Sequence, residues 1–226
     1  MITVLQLDTD FPRPPGDVGC AATYRCDLEI IRIRDATVST IVTDRPQTID
    51  IKPFERAIEQ AIGEVIVTSC GFLSYWQGHL AARTSRAFIS SALTALDELS
   101  QRYDPREVLI LTFDADSLTA DHLGSHRAYA QSIVGLPPTM HIRDVISQNR
   151  KTLDTARACL EIAAFVASQT HPHHRHILLE CTNLPPYKAA IAAATGLPVS
   201  DILTQIERAR PGTVMPGFLQ RRSLSI

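Results

Sequence analysis

The sequence lacks any apolar run approaching the ~20 residues that span a bilayer, so no membrane helix is expected. It also lacks a basic segment, long apolar stretch and cleavage site at its start, where Met1 leads directly into ITVLQL. A cytoplasmic location is the expectation. Neither sign of charge dominates: 22 Lys and Arg against 24 Asp and Glu give a net charge of −2. That leaves no global attraction for nucleic acid or an anionic membrane surface. Cysteine is scarce, odd in number and irregularly spaced, at Cys20, Cys26, Cys70, Cys159 and Cys181. A disulfide framework is therefore not expected. Specific recognition of a small molecule is left as the default, with self-association open.

What is present is material for a core. The chain has 226 residues and 45% hydrophobic content. Short apolar runs (ITVLQL, EVIVTS, RAFIS, REVLILTF, HILLE, LPVS) alternate with segments of helical period at 53–62, 75–83, 91–102, 152–168, 186–195 and 201–209. This is the pattern of parallel sheets flanked by helices, an α/β fold. Pro53 and Pro186 sit where a first helical turn accepts proline. The Pro- and Gly-rich loop at 10–24 follows the first strand, a frequent place for a ligand site.

The sequence also repeats itself. Shifted by 111 positions, CGFLSYWQGHL (70–80) lies over CTNLPPYKAAI (181–191), placing Cys70 on Cys181, Leu73 on Leu184, Trp76 on Tyr187 and Leu80 on Ile191. VLQLDTDF (4–11) similarly matches VLILTFDA (108–115). Two similar α/β halves are expected, 1–102 and 105–210, with the tail 211–226 packing back on the first. Each half delivers a cysteine from the carboxyl end of a strand, where ligands bind in open α/β sheets.

Two opposed thiols suit proton transfer at carbon. One takes a proton from one face of a carbon acid and the other returns one to the opposite face. A thiol pKa of about 8.5 falls toward neutrality at a helix N-terminus, so one cysteine is expected to rest as thiolate. Backbone N–H groups after each cysteine, with Thr68, Ser69, Thr182 and Asn183, would hold the neighbouring carboxylate.

VTSCGF and ECTNLPPY in two similar halves, with LDTDFPRPPGDVG opening the chain, resemble the aspartate/glutamate/hydantoin racemase superfamily. The resemblance covers nearly the whole chain. It implies two pseudo-symmetric three-layer α/β domains with mainly parallel sheets and an active-site cleft between them. It also implies a cofactor-independent racemase or epimerase of a small carboxylate or amide. Cys70 and Cys181 would be the catalytic pair with Asp8 beside them, and Thr9, Ser69, Gly71, Phe72, Thr112, Thr182 and Asn183 would bind substrate. Gly71 and Phe72 depart from the Asn-Thr that amino-acid racemases of this group commonly carry after the first cysteine. That departure bears on an α-amino-acid substrate, while the maleate isomerases of the superfamily use a cysteine pair, so that branch stays open. An arylmalonate-type decarboxylase needs only the second cysteine, so two thiols argue against it. A binding module that has lost the reaction is the non-enzymatic alternative.

Plainer readings stand beside these. Cys70 alone reads as a small core residue, and Cys159, within ARACLEIAAF, as core. Cys20 and Cys26 read as incidental thiols of the loop. HPHHRH (171–176) points its imidazoles apart and reads as a solvated turn rather than a metal site. Asp8 fits a cap or turn as well as a site. Asp114 and Asp116 read as turn formers, and Trp76 and Tyr187 as packing.

Overall fold

The structure, a computed structural model, describes residues 1–219. Strand β1 (Ile2–Leu7) is buried at every position but Gln6, so it needs cover on both faces and takes the interior of a parallel sheet. It lies between β2 (Leu28–Ile33) and β3 (Val65–Thr68), with β4 (Ala87–Ile89) beyond, in the order β2-β1-β3-β4 with every pairing parallel. The second half repeats this arrangement. Strands β5 (Val108–Thr112), β6 (Ile133–Gly135), β7 (His176–Leu179) and β8 (Val199–Ser200) form a parallel sheet in the order β6-β5-β7-β8. The chain is two α/β domains with one topology used twice.

In the first domain the helices are α1 (Val38–Ile41), α2 (Lys52–Gln60), α3 (Gln77–Ala81) and α4 (Leu96–Leu99). In the second they are α5 (His141–Ser147), α6 (Thr155–Gln169), α7 (Lys188–Thr195) and α8 (Ile202–Ala209). Local signals set their ends. Asp154 caps α6 by accepting the Arg157 N–H at 2.9 Å, a contribution of about 1 kcal/mol. Helix α7 stops at Gly196, whose φ of 70° belongs to the left-handed region.

Several elements differ from the sequence expectation. Strands β2 and β6 are edge strands, one half-exposed and carrying Glu29 and Arg32, the other three residues long. Neither forms the continuous apolar run that marks the inner strands. The helix expected over 91–102 is a 3-10 turn (Ala92–Ala95) leading into the short α4, and that over 75–83 narrows to α3. Of the tail, residues 220–226 lie outside the described residues. Val214 forms an antiparallel bridge with Tyr24, and Met215 N–H donates to Thr23 O at 2.9 Å. Among the described residues no helix is long and apolar enough to cross a membrane.

Candidate active site

Cys70 follows β3 and Cys181 follows β7, and both line one cavity between the halves. Both thiols are buried. Each is faced by the backbone N–H two residues on, from Phe72 and Asn183 respectively, so the duplication extends to the donor. The rest of the wall is largely apolar: Leu7, Phe11, Val38, Val42, Phe72, Phe113 and Ile146.

The sequence expectation of an acidified thiol is not met. A 3-10 turn (Gly71–Trp76) follows Cys70, and α7 begins only at Lys188, so neither cysteine sits on an α-helix N-terminus. Burial and then the charge of Glu180 push Cys70 up to about 12. The same two causes push Cys181 well above the usual thiol value. Both rest as thiols in the closed cavity.

Glu180, absent from the sequence-based set, is the residue that most changes the picture. It is fully buried, lines the cavity, and burial raises its carboxyl from the ordinary 4.5 to about 7. Thr112 Oγ1 donates to Oε2 at 2.7 Å, while Oε1 has no hydrogen-bond partner. The carboxyl lies against Gly71 of the other half, where a Cβ would come within 2.8 Å of its Cδ. The Gly71 departure thus has a steric cause.

A second group reaches the wall from the loop after β1. Arg13 lines the cavity, pairs with buried Asp17 at 3.0 Å, donates to Thr9 Oγ1 at 3.1 Å and lies 4.7 Å over the Phe11 ring. Asp17 Oδ2 in turn accepts Asn183 Nδ2 from the second half at 2.7 Å, and the Cys181 thiol faces Asn183 Oδ1 at 3.9 Å. One chain of contacts therefore joins Thr9, Arg13, Asp17, Asn183 and Cys181. Thr182 Oγ1 closes the halves by donating to Ser69 O at 2.6 Å. The Ser69 hydroxyl itself accepts the Leu7 N–H at 3.0 Å.

Of the expected residues, Cys70, Cys181, Ser69, Gly71, Phe72, Thr182 and Asn183 are brought together at the cavity. Thr9 and Thr112 stand one bond behind it, through Arg13 and Glu180. Asp8 is not brought there. Its neighbour Leu7 lines the wall, and the next side chain along an extended segment points the other way. Asp8 accepts Arg32 Nε at 2.5 Å and the Asp35 N–H at 3.0 Å, contacts that hold its carboxyl below the usual range. Arg13, Asp17 and Glu180 are the residues that sequence reasoning passed over. The i,i+4 Arg-Asp spacing in the loop and a lone Glu ending an apolar strand were the available signals. Among the described residues no group of three or more His, Cys, Asp or Glu is arranged to hold a metal ion. The rings of His171, His173 and His174 instead lie against one another, with centroids 4.5 to 5.6 Å apart, His171 and His173 stacked and His174 tilted to both.

No family model matches the chain. It is 26% identical over 219 residues to a dimethylsulfoniopropionate lyase of Durusdinium sp. clade D, covering 90% of this chain and 72% of that protein. It is 28% identical over 224 residues to dimethylsulfoniopropionate lyase 5 of Emiliania huxleyi, covering 91% of this chain but only 44% of the relative. Among solved structures it superposes on unliganded arylmalonate decarboxylase with a TM-score of 0.54 and 16% identity, covering 96% of each chain. The allantoin racemase of Klebsiella pneumoniae gives 0.54 and 15%, covering 100% of this chain and 96% of that one. With two such domains and the same sheet order in each, the fold of this chain is that of the aspartate/glutamate/hydantoin racemase superfamily.

Proposed function

We propose that the chain is an enzyme that removes a proton from the carbon next to the carboxylate of a small acid, with Cys70 and Cys181 as the acid-base groups. The observation that carries this reading is a pair of buried thiols, one from each half, on a single cavity. Removing that proton places negative charge on the substrate carboxylate, and the half-buried Arg13 and the donors around the cavity stabilise it there.

Elimination is the reaction we favour. In dimethylsulfoniopropionate a cationic sulfonium lies β to the carboxylate, and the relatives at 26 and 28% identity carry that lyase activity in their names. A cysteine thiolate takes the α-proton, the C–S bond breaks, and its electron pair leaves with sulfur. The products are dimethyl sulfide and acrylate, with the proton passed from the thiol to solvent. The lining of the cavity has the chemistry such a substrate needs. Phe11, Phe72 and Phe113 offer aromatic surface to a methylated cation, and a positive charge beside a thiol lowers its pKa. The substrate itself thus draws out the base that the closed site lacks.

A second reading, racemisation of a carbon acid, is favoured by the equivalent placement of the two thiols and their N–H donors. One experiment separates the two. The protein is incubated in heavy water with dimethylsulfoniopropionate, allantoin, amino acids and arylmalonates, and followed by proton NMR. Acrylate and dimethyl sulfide from the first compound support the lyase. Deuterium entering an α-position with loss of optical activity supports the racemase, and no change in any compound overturns both.

A further inference from the structure

Glu180 is a buried carboxylic acid whose two oxygens are treated differently. Oε2 accepts the Thr112 hydroxyl, which leaves Oε1 as the site for a proton. That oxygen has no partner, although the residue is fully buried. A buried carboxyl oxygen without a hydrogen bond is costly, so its position needs a compensating role. The protein makes room for it at residue 71, where any side chain would overlap Oε1, and Gly71 and Glu180 share the same wall between Cys70 and Cys181. We propose that Glu180, protonated on Oε1, is the hydrogen-bond donor that grips the carboxylate of the substrate.

This inference rests on the carbon-acid reading above and supplies its substrate-anchoring group. A neutral acid is the suitable donor here, because an ionised one would repel the substrate anion within the same small cavity. The groups beside it are Cys70 from the turn after β3, Cys181 and Thr112 from β5, and Arg13 lines the same cavity. A bound carboxylate strengthens the hold on the proton. Burial, offset in part by the Thr112 bond, already places that proton near neutrality, so binding above neutral pH must draw a proton from solvent.

The test uses acrylate as probe, with calorimetry at pH 8 in two buffers of different ionisation enthalpy. Wild-type protein should take up close to one proton per acrylate bound, and its affinity should fall about tenfold per pH unit above about pH 7. Glu180→Gln keeps a donor but carries no exchangeable acid. It should bind acrylate without proton uptake, with affinity flat across the same range. Should that variant fail to fold, Thr112→Val removes a bond that favours the ionised form, and the midpoint of proton uptake should move to higher pH. Acrylate binding without proton uptake by wild type, no acrylate binding at all, or unchanged uptake in Glu180→Gln overturns the proposal. Proton-coupled binding in a protein that turns over none of the carbon acids leaves Glu180 in place and overturns the reaction instead.

Discussion

Replacing Gly71 with alanine plants a methyl group where Glu180 already lies. The added Cβ would overlap Oε1, and it would sit 2.8 Å from Cδ and 2.7 Å from the backbone oxygen of the same residue. Ordinary contact begins at about 3.5 Å. The carboxyl can swing aside only by giving up the 2.7 Å bond from Thr112, and the backbone oxygen, fixed just past the end of β7, cannot follow. Overpacking of this kind costs about 1–3 kcal/mol, and the lost buried hydrogen bond about 1 kcal/mol more. The sum, about 2–4 kcal/mol, lowers the melting temperature of a chain this size by roughly 5–15 °C. Thermal unfolding followed by circular dichroism measures it. The double variant Gly71→Ala/Glu180→Ala removes the carboxyl and leaves only the backbone oxygen to clash. A coupling energy of about 1–3 kcal/mol between the two changes is expected. If Gly71→Ala melts within a degree of wild type, or if the two changes simply add, the account of Gly71 as the space for Glu180 is refuted.

Iodoacetamide at neutral pH should modify the partly exposed Cys20, Cys26 and Cys159 before the buried Cys70 and Cys181; mass spectrometry of partial digests gives the order, and early labelling of Cys181 contradicts the resting state described. Cys70→Ser and Cys181→Ser should each reduce racemisation by about 10²–10⁴-fold, read by NMR in heavy water, while each remaining thiol exchanges a proton on its own face only. Full racemisation by either variant rules out the two-cysteine mechanism. Glu180 binds its proton more tightly folded than unfolded, so its contribution to stability falls as pH rises from about 4.5 through about 7 and is flat above. Glu180→Gln is free of that loss and should gain about 3 kcal/mol on wild type between pH 4 and pH 8 by urea unfolding; an equal difference at both pH values speaks against a raised carboxyl.

The inner strands were legible because a strand covered on both faces must be apolar throughout. VLILT of β5 and HILL of β7 are buried at every position. The edge strand β2 escapes the same test because one face meets water and carries Arg32, which then holds Asp8 away from the cavity. The cysteine pair was visible as a repeat, since duplication preserves spacing. Glu180 was not, because a charged residue at a strand end ordinarily reads as the start of a solvent-facing turn, and only the packing of the two halves buries it. Arg13 and Asp17 were hidden by their setting, a proline-rich loop whose course no periodicity describes.

The two halves agree in strand order, in cysteine position and in the N–H that faces each thiol, yet they part at the residue just before the cysteine. Ser69 in the first half corresponds to Glu180 in the second, and the Ser69 hydroxyl is occupied by the Leu7 N–H. At that position one half carries a hydroxyl and the other an acid, and the next two positions after the cysteine differ as well, Gly71 against Thr182 and Phe72 against Asn183. A substrate held there meets unlike neighbours on its two faces, so a deuteron returned from heavy water should enter from one face far more often than from the other. On the proposed carbon-acid reading, one glutamate and the glycine that admits it would give the cysteine pair a preferred side.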